Sequence, residues 1–360
     1  MIKNNQPNTL VAMSGGVDSS VAALLLLEQG YRLVGGTLKL FDNKDIAHDN
    51  GSCGSLCDAE DARRIARQLD FPHYTFDCRT EFQQRVIQRF IAAYWAGETP
   101  NPCIDCNRYL KFAYLLEQAR HLNMDNISTG HYARREYDKR RGCYLLRKSA
   151  IPAKDQSYVL YNLSQEQLSH TLFPLGGLDK ETVRQMAQAA RLQVADKPDS
   201  QDICFVPEGK YYDFLAKNNP SPEPKGNFVD KNGQIIGPHR GFCHYTVGQR
   251  KGLNLALGHP VYVTGKNHAD ASVSVGPAEE LYREELQIRD LNLIFLEKIE
   301  PGMRVNAKIR YRSPEVPARL YSGDNGNILV RFAEPQKAIA PGQAVVFYLE
   351  DIVLGGGTIL

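Results

Sequence analysis

The chain has 360 residues, 42% of them hydrophobic and 23% charged, with a net charge of +2. This is ordinary for a soluble protein of two or three domains, and the longest apolar run, Val21 to Leu27, is too short to span a bilayer. Eight cysteines without a secretion signal point to a reducing cytoplasm, where cysteines serve catalysis or metal more often than structural disulfides.

Leu10 to Met13 predicts a buried parallel strand, Ser14 to Asp18 a glycine-rich turn, and Ser19 to Leu27 an apolar helix. A second strand is predicted over 31–40, an amphipathic helix over Asp58 to Leu69, and a strand over His73 to Cys78. A long helix then carries Phe82, Val86, Ile87, Phe90, Ile91 and Tyr94, and 97–107 is expected to be a loop. Arg108 to Leu122 predicts a helix, Asn126 to Gly130 a strand, Tyr132 to Arg147 a basic hairpin and Asp179 to Ala190 a helix. Strands alternating with helices imply an α/β fold with a doubly wound parallel sheet. Ligands then gather at the carboxyl ends of the strands. That places the Ser14 loop, Leu38 and Gly130 on one rim.

After about residue 205 proline and glycine rise, and hairpin signals such as Asp230-Lys231-Asn232-Gly233 appear. Residues 285–360 alternate as short strands with turns at Gly302, Ser313-Pro314, Gly323 to Gly326 and Pro341-Gly342, the pattern of a small β-barrel. The expected domains are 1–205, α/β and catalytic; 206–283, small and mixed; and 284–360, a barrel.

Three features carry chemistry. The first is the strand–turn–helix at Ser14 to Ser20, which aims backbone N–H groups and a positive helix end at an anion. The hydroxyls of Ser14, Ser19 and Ser20 add donors. The Gly-Lys-Ser/Thr ending of a Walker A loop is absent. A carboxylate, Asp18, stands in the loop instead, as suits a pyrophosphate grip with a metal ion held on it. The plain reading is a serine/glycine turn capping a helix. The second feature is cysteine. Cys103-x-x-Cys106 suits a lowered thiol pKa or, with Cys53 and Cys57, a structural zinc site. Cys204 stands at the junction of the α/β part with the rest, and Cys78, Cys143 and Cys243 read as filling. The third is charge. Between Arg108 and Ser157 stand eleven Lys/Arg and five Asp/Glu, a net +6, which is the footprint of a polyanion site or a solvated hairpin.

The loop Ser14-Gly-Gly-Val-Asp-Ser-Ser20 resembles that of the N-type ATP pyrophosphatases. The strings Ala12 to Ser19, Asn101-Pro-Cys-x-x-Cys-Asn107, Thr129-Gly-His-Tyr-Ala133, Lys154-Asp-Gln-Ser-Tyr158, Asp199-Ser-x-x-Ile-Cys204, Gly248-Gln-Arg-Lys-Gly252 and Pro341-Gly-Gln343, in that order, extend the likeness from end to end. The chain resembles the tRNA-specific 2-thiouridylases, the MnmA family. The resemblance implies a cytoplasmic sulfurtransferase with a pyrophosphatase domain, a central domain and a tRNA-contacting C-terminal barrel. ATP, with Mg²⁺, would adenylate O2 of the wobble uridine (position 34) of the tRNAs for Lys, Glu and Gln. Sulfur from a cysteine desulfurase or relay protein would then replace that oxygen.

On that resemblance Cys204 carries a persulfide and Cys106 is the nucleophile, leaving a Cys106–Cys204 disulfide. ATP binding falls to Ala12, Met13, Ser14, Gly15, Gly16, Val17, Asp18, Ser19, Leu38 and Gly130. Asn101, Pro102 and Cys103 would meet the target base. His131, Lys154, Asp155, Gln156, Tyr311, Arg312 and Gln343 would touch tRNA, their chemistry suiting phosphates, base edges and stacking. Some members carry aspartate in place of Cys103. Cys103, Cys106 and Cys204 together suit a three-thiolate [4Fe–4S] site, and that alternative stays open beside the persulfide. Two other classes compete: a small-molecule adenylating ligase, which needs neither the cysteine pair nor the basic stretch, and a non-catalytic RNA-binding module, which needs no ATP loop.

Overall fold

The computed structural model describes residues 7–41, 56–198, 203–206, 211–218, 225–323 and 326–360. Cys53 and Asp199 to Asp202 lie outside them. The chain forms two compact units. The first comprises 1–86, 102–209 and 351–354, and the second 87–101, 210–350 and 355–360.

In the first unit, β1 (Asn8–Ala12), β2 (Arg32–Lys39), β3 (His73–Asp77) and β4 (Asn126–Ser128) follow the predicted strands within a residue or two. Strands β5 (Ala133–Asp138) and β6 (Cys143–Lys148) make the predicted basic hairpin. A short β7 (Thr171–Leu172), which no periodicity announces in two residues, completes a parallel sheet of order β3-β2-β1-β4-β7. Residues Leu10 and Val11 in β1 are wholly buried, because helices cover both faces. The helices Val17–Glu28, Leu56–Gln68 and Lys180–Ala189 bury Val21, Leu26, Ile65 and Val183 in one cluster. Asp179 caps the last of these, its side chain accepting from Thr182 N at 2.7 Å.

One predicted loop is instead helical. Pro102–Asp105 forms an α-turn and runs on through a π-helical stretch, Cys106–Tyr114, into the helix Leu115–His121. Pro102 starts the turn, where its fixed φ and missing N–H cost nothing. Cys103 and Cys106 therefore sit on the opening turns of a helix.

The basic hairpin spends much of its charge on itself. Arg134 donates to the Lys148 carbonyl and pairs with Asp351 at 2.8 Å. Arg147 pairs with both Glu136 and Asp351 at 2.6 Å. Arg135 donates to the carbonyls of Leu168 and Ser169 and lies over the Tyr144 ring. Of the hairpin's basic residues, only Lys139, Arg140 and Arg141 in the turn are exposed, and Arg141 pairs with Asp138. Arg134 and Arg135, natural choices for probing an RNA footprint, are structural here.

In the second unit, β8 (Asn227–Val229) and β9 (Ile235–Pro238) flank the predicted turn. There the Asp230 carboxylate accepts from Asn232 N and Gln234 N at 2.9 and 2.8 Å, an Asx turn. With β10 (Tyr262–Asn267) and β11 (Ser272–Gly276) they make a four-stranded sheet. Then β12 (Tyr282–Leu293), β13 (Met303–Lys308), β14 (Val316–Ser322), β15 (Ile328–Lys337), β16 (Ala344–Leu349) and, from Gly355 on, β17 (Ile352–Ile359) follow. They pair in the order β12-β15-β14-β13-β16-β17, and pairing of β12 with β17 closes the barrel. Closure removes the exposed edges that an open sheet would leave.

The barrel also holds the segment that leads into Asn101-Pro102-Cys103. Thr99 N donates to Pro341 O at 2.7 Å, Gln343 Nε2 donates to Thr99 O at 2.5 Å, and Arg289 grips both oxygens of Glu98 at 2.9 Å. The Gln343 amide, expected at tRNA, is thus engaged internally. We expect Gln343→Ala to speed amide hydrogen exchange over 97–101 several-fold while leaving ATP affinity unchanged. Unchanged exchange in that segment would refute the strap. Among the described residues, no helix is long and apolar enough to cross a membrane.

Candidate active site

The parallel pairing of β1 with β2 and β4 brings three strand ends to one rim. A cavity of about 190 Å³ opens there. Ala12, Met13, Ser14, Asp18 and Ser19 line it from the first turn, and Gly36, Thr37, Leu38 and Leu40 from the second strand. Thr129, Gly130 and His131 follow β4, and Gln156, Cys106 and Lys111 close the wall. The predicted loop, Leu38, Gly130 and His131 do meet.

Two glycines are required by close approach. Gly15 has φ +68°, and a Cβ there would stand 2.4 Å from the Asp58 carbonyl oxygen. Gly130 lies against the start of the Val17–Glu28 helix, where a Cβ would come within 2.8 Å of Ser19 N. That helix has Gly16 at its N-cap and no side-chain cap, so its first N–H groups are left for an anion. The serines contribute less than expected. Ser20 is wholly buried and its hydroxyl donates to Gly16 O at 2.9 Å. Ser19 Oγ donates to the same oxygen and accepts from Ser14 N at 3.2 Å. These two hydroxyls hold the loop in shape.

Asp18 is engaged as well. Both its oxygens pair with Lys180 Nζ, at 2.8 and 2.9 Å, and Tyr132 donates its hydroxyl at 2.7 Å. Asp18 lines the cavity, and a magnesium ion commonly rests on one or two carboxylates plus the phosphates of its nucleotide. The loop therefore fits Mg²⁺–ATP if Lys180 yields the carboxylate. Lys197 ties down the other side. Its ammonium reaches Gly15 O at 3.1 Å, Asp58 at 2.7 Å and Asp61 at 3.1 Å. Burial opposes that charge, but the two carboxylates outweigh it and raise the lysine pKa. The sequence reading missed Lys180, Tyr132 and Lys197. Each lies over 110 residues from its loop partner, and no local pattern marks such pairs.

Thr37 buttresses the floor. Its hydroxyl donates to Met13 O at 2.8 Å and so accepts from His73 Nε2 at 2.9 Å. His73 Nδ1 is then an unprotonated, buried atom without a partner. Burial, joined by Arg63, lowers the His73 pKa from 6.5 to about 4. The unfolded chain therefore takes up a proton near pH 6.5 that the native state refuses until about pH 4. Stability is complete above pH 6.5 and falls as the pH drops through that window. We expect a loss on the order of 1 kcal/mol between pH 7 and 5, given the partial exposure of the ring. Urea unfolding at both pH values checks it, and His73→Gln should flatten the dependence.

Cys106 opens the π-helical stretch, buried except where it meets the cavity. Such stretches recur at functional sites, and here one places Cys106 and Lys111 on one wall. Cys78 is wholly buried, and burial, reinforced by Cys106, pushes its thiol up to about 12. It is filling, as expected. Cys103 is exposed and Cys204 half-buried, and neither lines the cavity. Among the described residues, no three His, Cys, Asp or Glu side chains could together hold a metal ion.

Several of the residues expected at RNA are engaged within the protein. His131 accepts or donates through Nδ1 with Thr129 Oγ1 at 2.8 Å, and burial, with Lys111 nearby, holds its pKa well below 6.5. It offers a neutral ring rather than a cation. Asp155 is spent on Ser149 N and the Ser157 hydroxyl. Gln156 Oε1 accepts from Tyr132 N at 2.9 Å. Asn101 and Lys154 are half-buried, and Pro102 is buried. Tyr311 and Arg312 are exposed on the turn after β13.

Three family models match: a tRNA methyl transferase HUP domain over residues 7–208, a tRNA methyl transferase PRC-barrel domain over 212–277, and an aminomethyltransferase beta-barrel domain over 283–359. The tRNA-specific 2-thiouridylase MnmA of Acetivibrio thermocellus is 47% identical over 99% of both chains. That of Clostridioides difficile is 45% identical over 97% of both. Among solved structures, a 4-thiouridine synthetase–RNA complex with bound ATP aligns at 17% identity and a TM-score of 0.38. It covers 59% of this chain and 50% of that one. The chain belongs to the tRNA-specific 2-thiouridylase (MnmA) family.

Proposed function

We propose that this protein is a cytoplasmic tRNA-uridine 2-sulfurtransferase. One observation carries the reading: Cys106 shares a cavity with the Ser14–Ser19 loop, so a thiol stands beside the place for a nucleotide's phosphates. A ligase adenylating a small molecule needs no thiol there. Family membership supports the same assignment.

O2 of the wobble uridine attacks the α-phosphorus of ATP, and pyrophosphate leaves. The loop N–H groups and Lys180 neutralise the phosphates, and Asp18 would hold a Mg²⁺ ion whose charge would add to that neutralisation. Adenylation turns a poor leaving group into AMP. The terminal sulfur of a Cys204 persulfide attacks C2, and AMP departs. The Cys106 thiolate then attacks the Cys204 sulfur, and the S–S bond breaks with its electron pair on the sulfur now bound to the base. The product is 2-thiouridine and a Cys106–Cys204 disulfide, which an external thiol must reduce. Asn101, Pro102 and Cys103 approach the base, and Lys154, Tyr311 and Arg312 approach the tRNA. The sulfur comes from a cysteine desulfurase or relay protein, and the tRNAs are those for Lys, Glu and Gln.

The test is incubation with unmodified tRNA transcripts, ATP and a sulfur donor. Pyrophosphate release that needs tRNA, with 2-thiouridine at position 34 by mass spectrometry, is expected. Pyrophosphate release indifferent to tRNA would overturn the proposal.

A further inference from the structure

The barrel carries a row of like charges that its fold does not require. In register, Arg304 of β13 stands opposite Arg319 of β14, and Arg319 stands opposite Arg331 of β15. All three are exposed. Like charges directly opposite one another destabilise a sheet, so a row of three calls for a counter-charge. Little is supplied from within. Arg331 reaches Glu285, its cross-strand neighbour, at 3.2 Å. Arg319 has one long contact, to Gly302 O at 3.5 Å. Arg304 makes no ion pair or side-chain hydrogen bond among the described residues.

The row borders a cavity of about 490 Å³, whose apolar lining includes Pro317, Ala333 and Leu349. Glu350 also lines it. Neighbouring strands lie ~4.8 Å apart, so the three guanidinium stems span ~10 Å. Planar guanidinium groups match phosphate oxygens bidentately. This is not the Tyr311–Arg312 region. Arg304 and Lys308 are four residue steps apart on β13, ~13 Å of strand, and Tyr311 lies beyond, its ring 5.9 Å from the Lys308 ammonium.

We infer that the Arg304–Arg319–Arg331 row is a second RNA site, gripping a phosphodiester stretch remote from the Tyr311–Arg312 contact. The inference rests on tRNA being the substrate. Its contribution is affinity and orientation without sequence information, as for phosphate contacts generally. An acidic protein segment is the competing occupant. Three arginines against the one glutamate of the cavity lining favour the denser anion, a phosphodiester.

The test is the full-length Arg304→Gln/Arg319→Gln variant. Its tRNA affinity is measured as a function of salt, beside its tRNA-independent ATP binding and its thermal midpoint. We expect weaker tRNA binding and a log K against log salt slope shallower by about 2, roughly one for each lost phosphate contact. ATP binding should be unchanged. The thermal midpoint should hold or rise, because a repulsion has been removed. A slope equal to that of the wild type overturns the inference while leaving the sulfurtransferase reading intact. So does a defect seen only with a protein sulfur donor, which would assign the row to that partner. A wild type that does not bind tRNA removes the substrate reading and this site with it.

Discussion

Asp18→Ala is expected to abolish tRNA thiolation and also to lower stability, two effects that a second substitution separates. The activity is lost because the nucleotide loop loses its carboxylate. The stability is lowered because Lys180, whose side chain is 13% exposed, loses the carboxylate that stands at 2.8 Å. A buried pair broken on one side costs 3–5 kcal/mol, and the third of Asp18 left exposed discounts that to about 1–2 kcal/mol. Lys180→Met in the same chain removes the ammonium that faced Asp18. The double variant should recover the urea midpoint and remain inactive. Near-normal thiolation by Asp18→Ala at saturating ATP would refute the role of the carboxylate. A double variant no more stable than the single would refute the pairing.

Cys106→Ser is expected to lower thiolation by on the order of 10³-fold or more, as loss of a nucleophile does. Pyrophosphate release and tRNA binding should persist, because the adenylation step does not use the thiol. Cys204→Ser should share that phenotype. Cys103→Ala separates the two sulfur chemistries. Cys103 is exposed, and no three-ligand metal group exists among the described residues. We therefore expect Cys103→Ala to retain partial activity and the wild type to bind no stoichiometric iron. Iron in anaerobically purified protein, lost together with all thiolation in Cys103→Ala, would establish the cluster route instead.

What the sequence determined by itself was local. Leu10 to Ala12, the glycine turn and the apolar helix after it were legible because a buried parallel strand, a φ-positive turn and a helix each leave a short-range pattern. The Asp230–Gly233 turn and the barrel strands were legible on the same ground. The motif strings were long enough to point to the family without any fold. Three things only the tertiary structure decided. It turned the Cys103–Cys106 loop into helix, since Pro102 can open a helix as readily as it can sit in a loop and the choice falls to packing. It gave Asp18, Gly15 and Thr37 their partners in Lys180, Lys197 and His73, the first two from more than 160 residues away and His73 from the neighbouring strand. And it spent Arg134, Arg135, Asp155 and Gln343 on internal hydrogen bonds while setting Arg304, Arg319 and Arg331 side by side. A charge in the sequence carries no record of whether a partner will fold against it. Neutralisation depends on contacts between distant segments, and those exist only once the sheet and the barrel have closed.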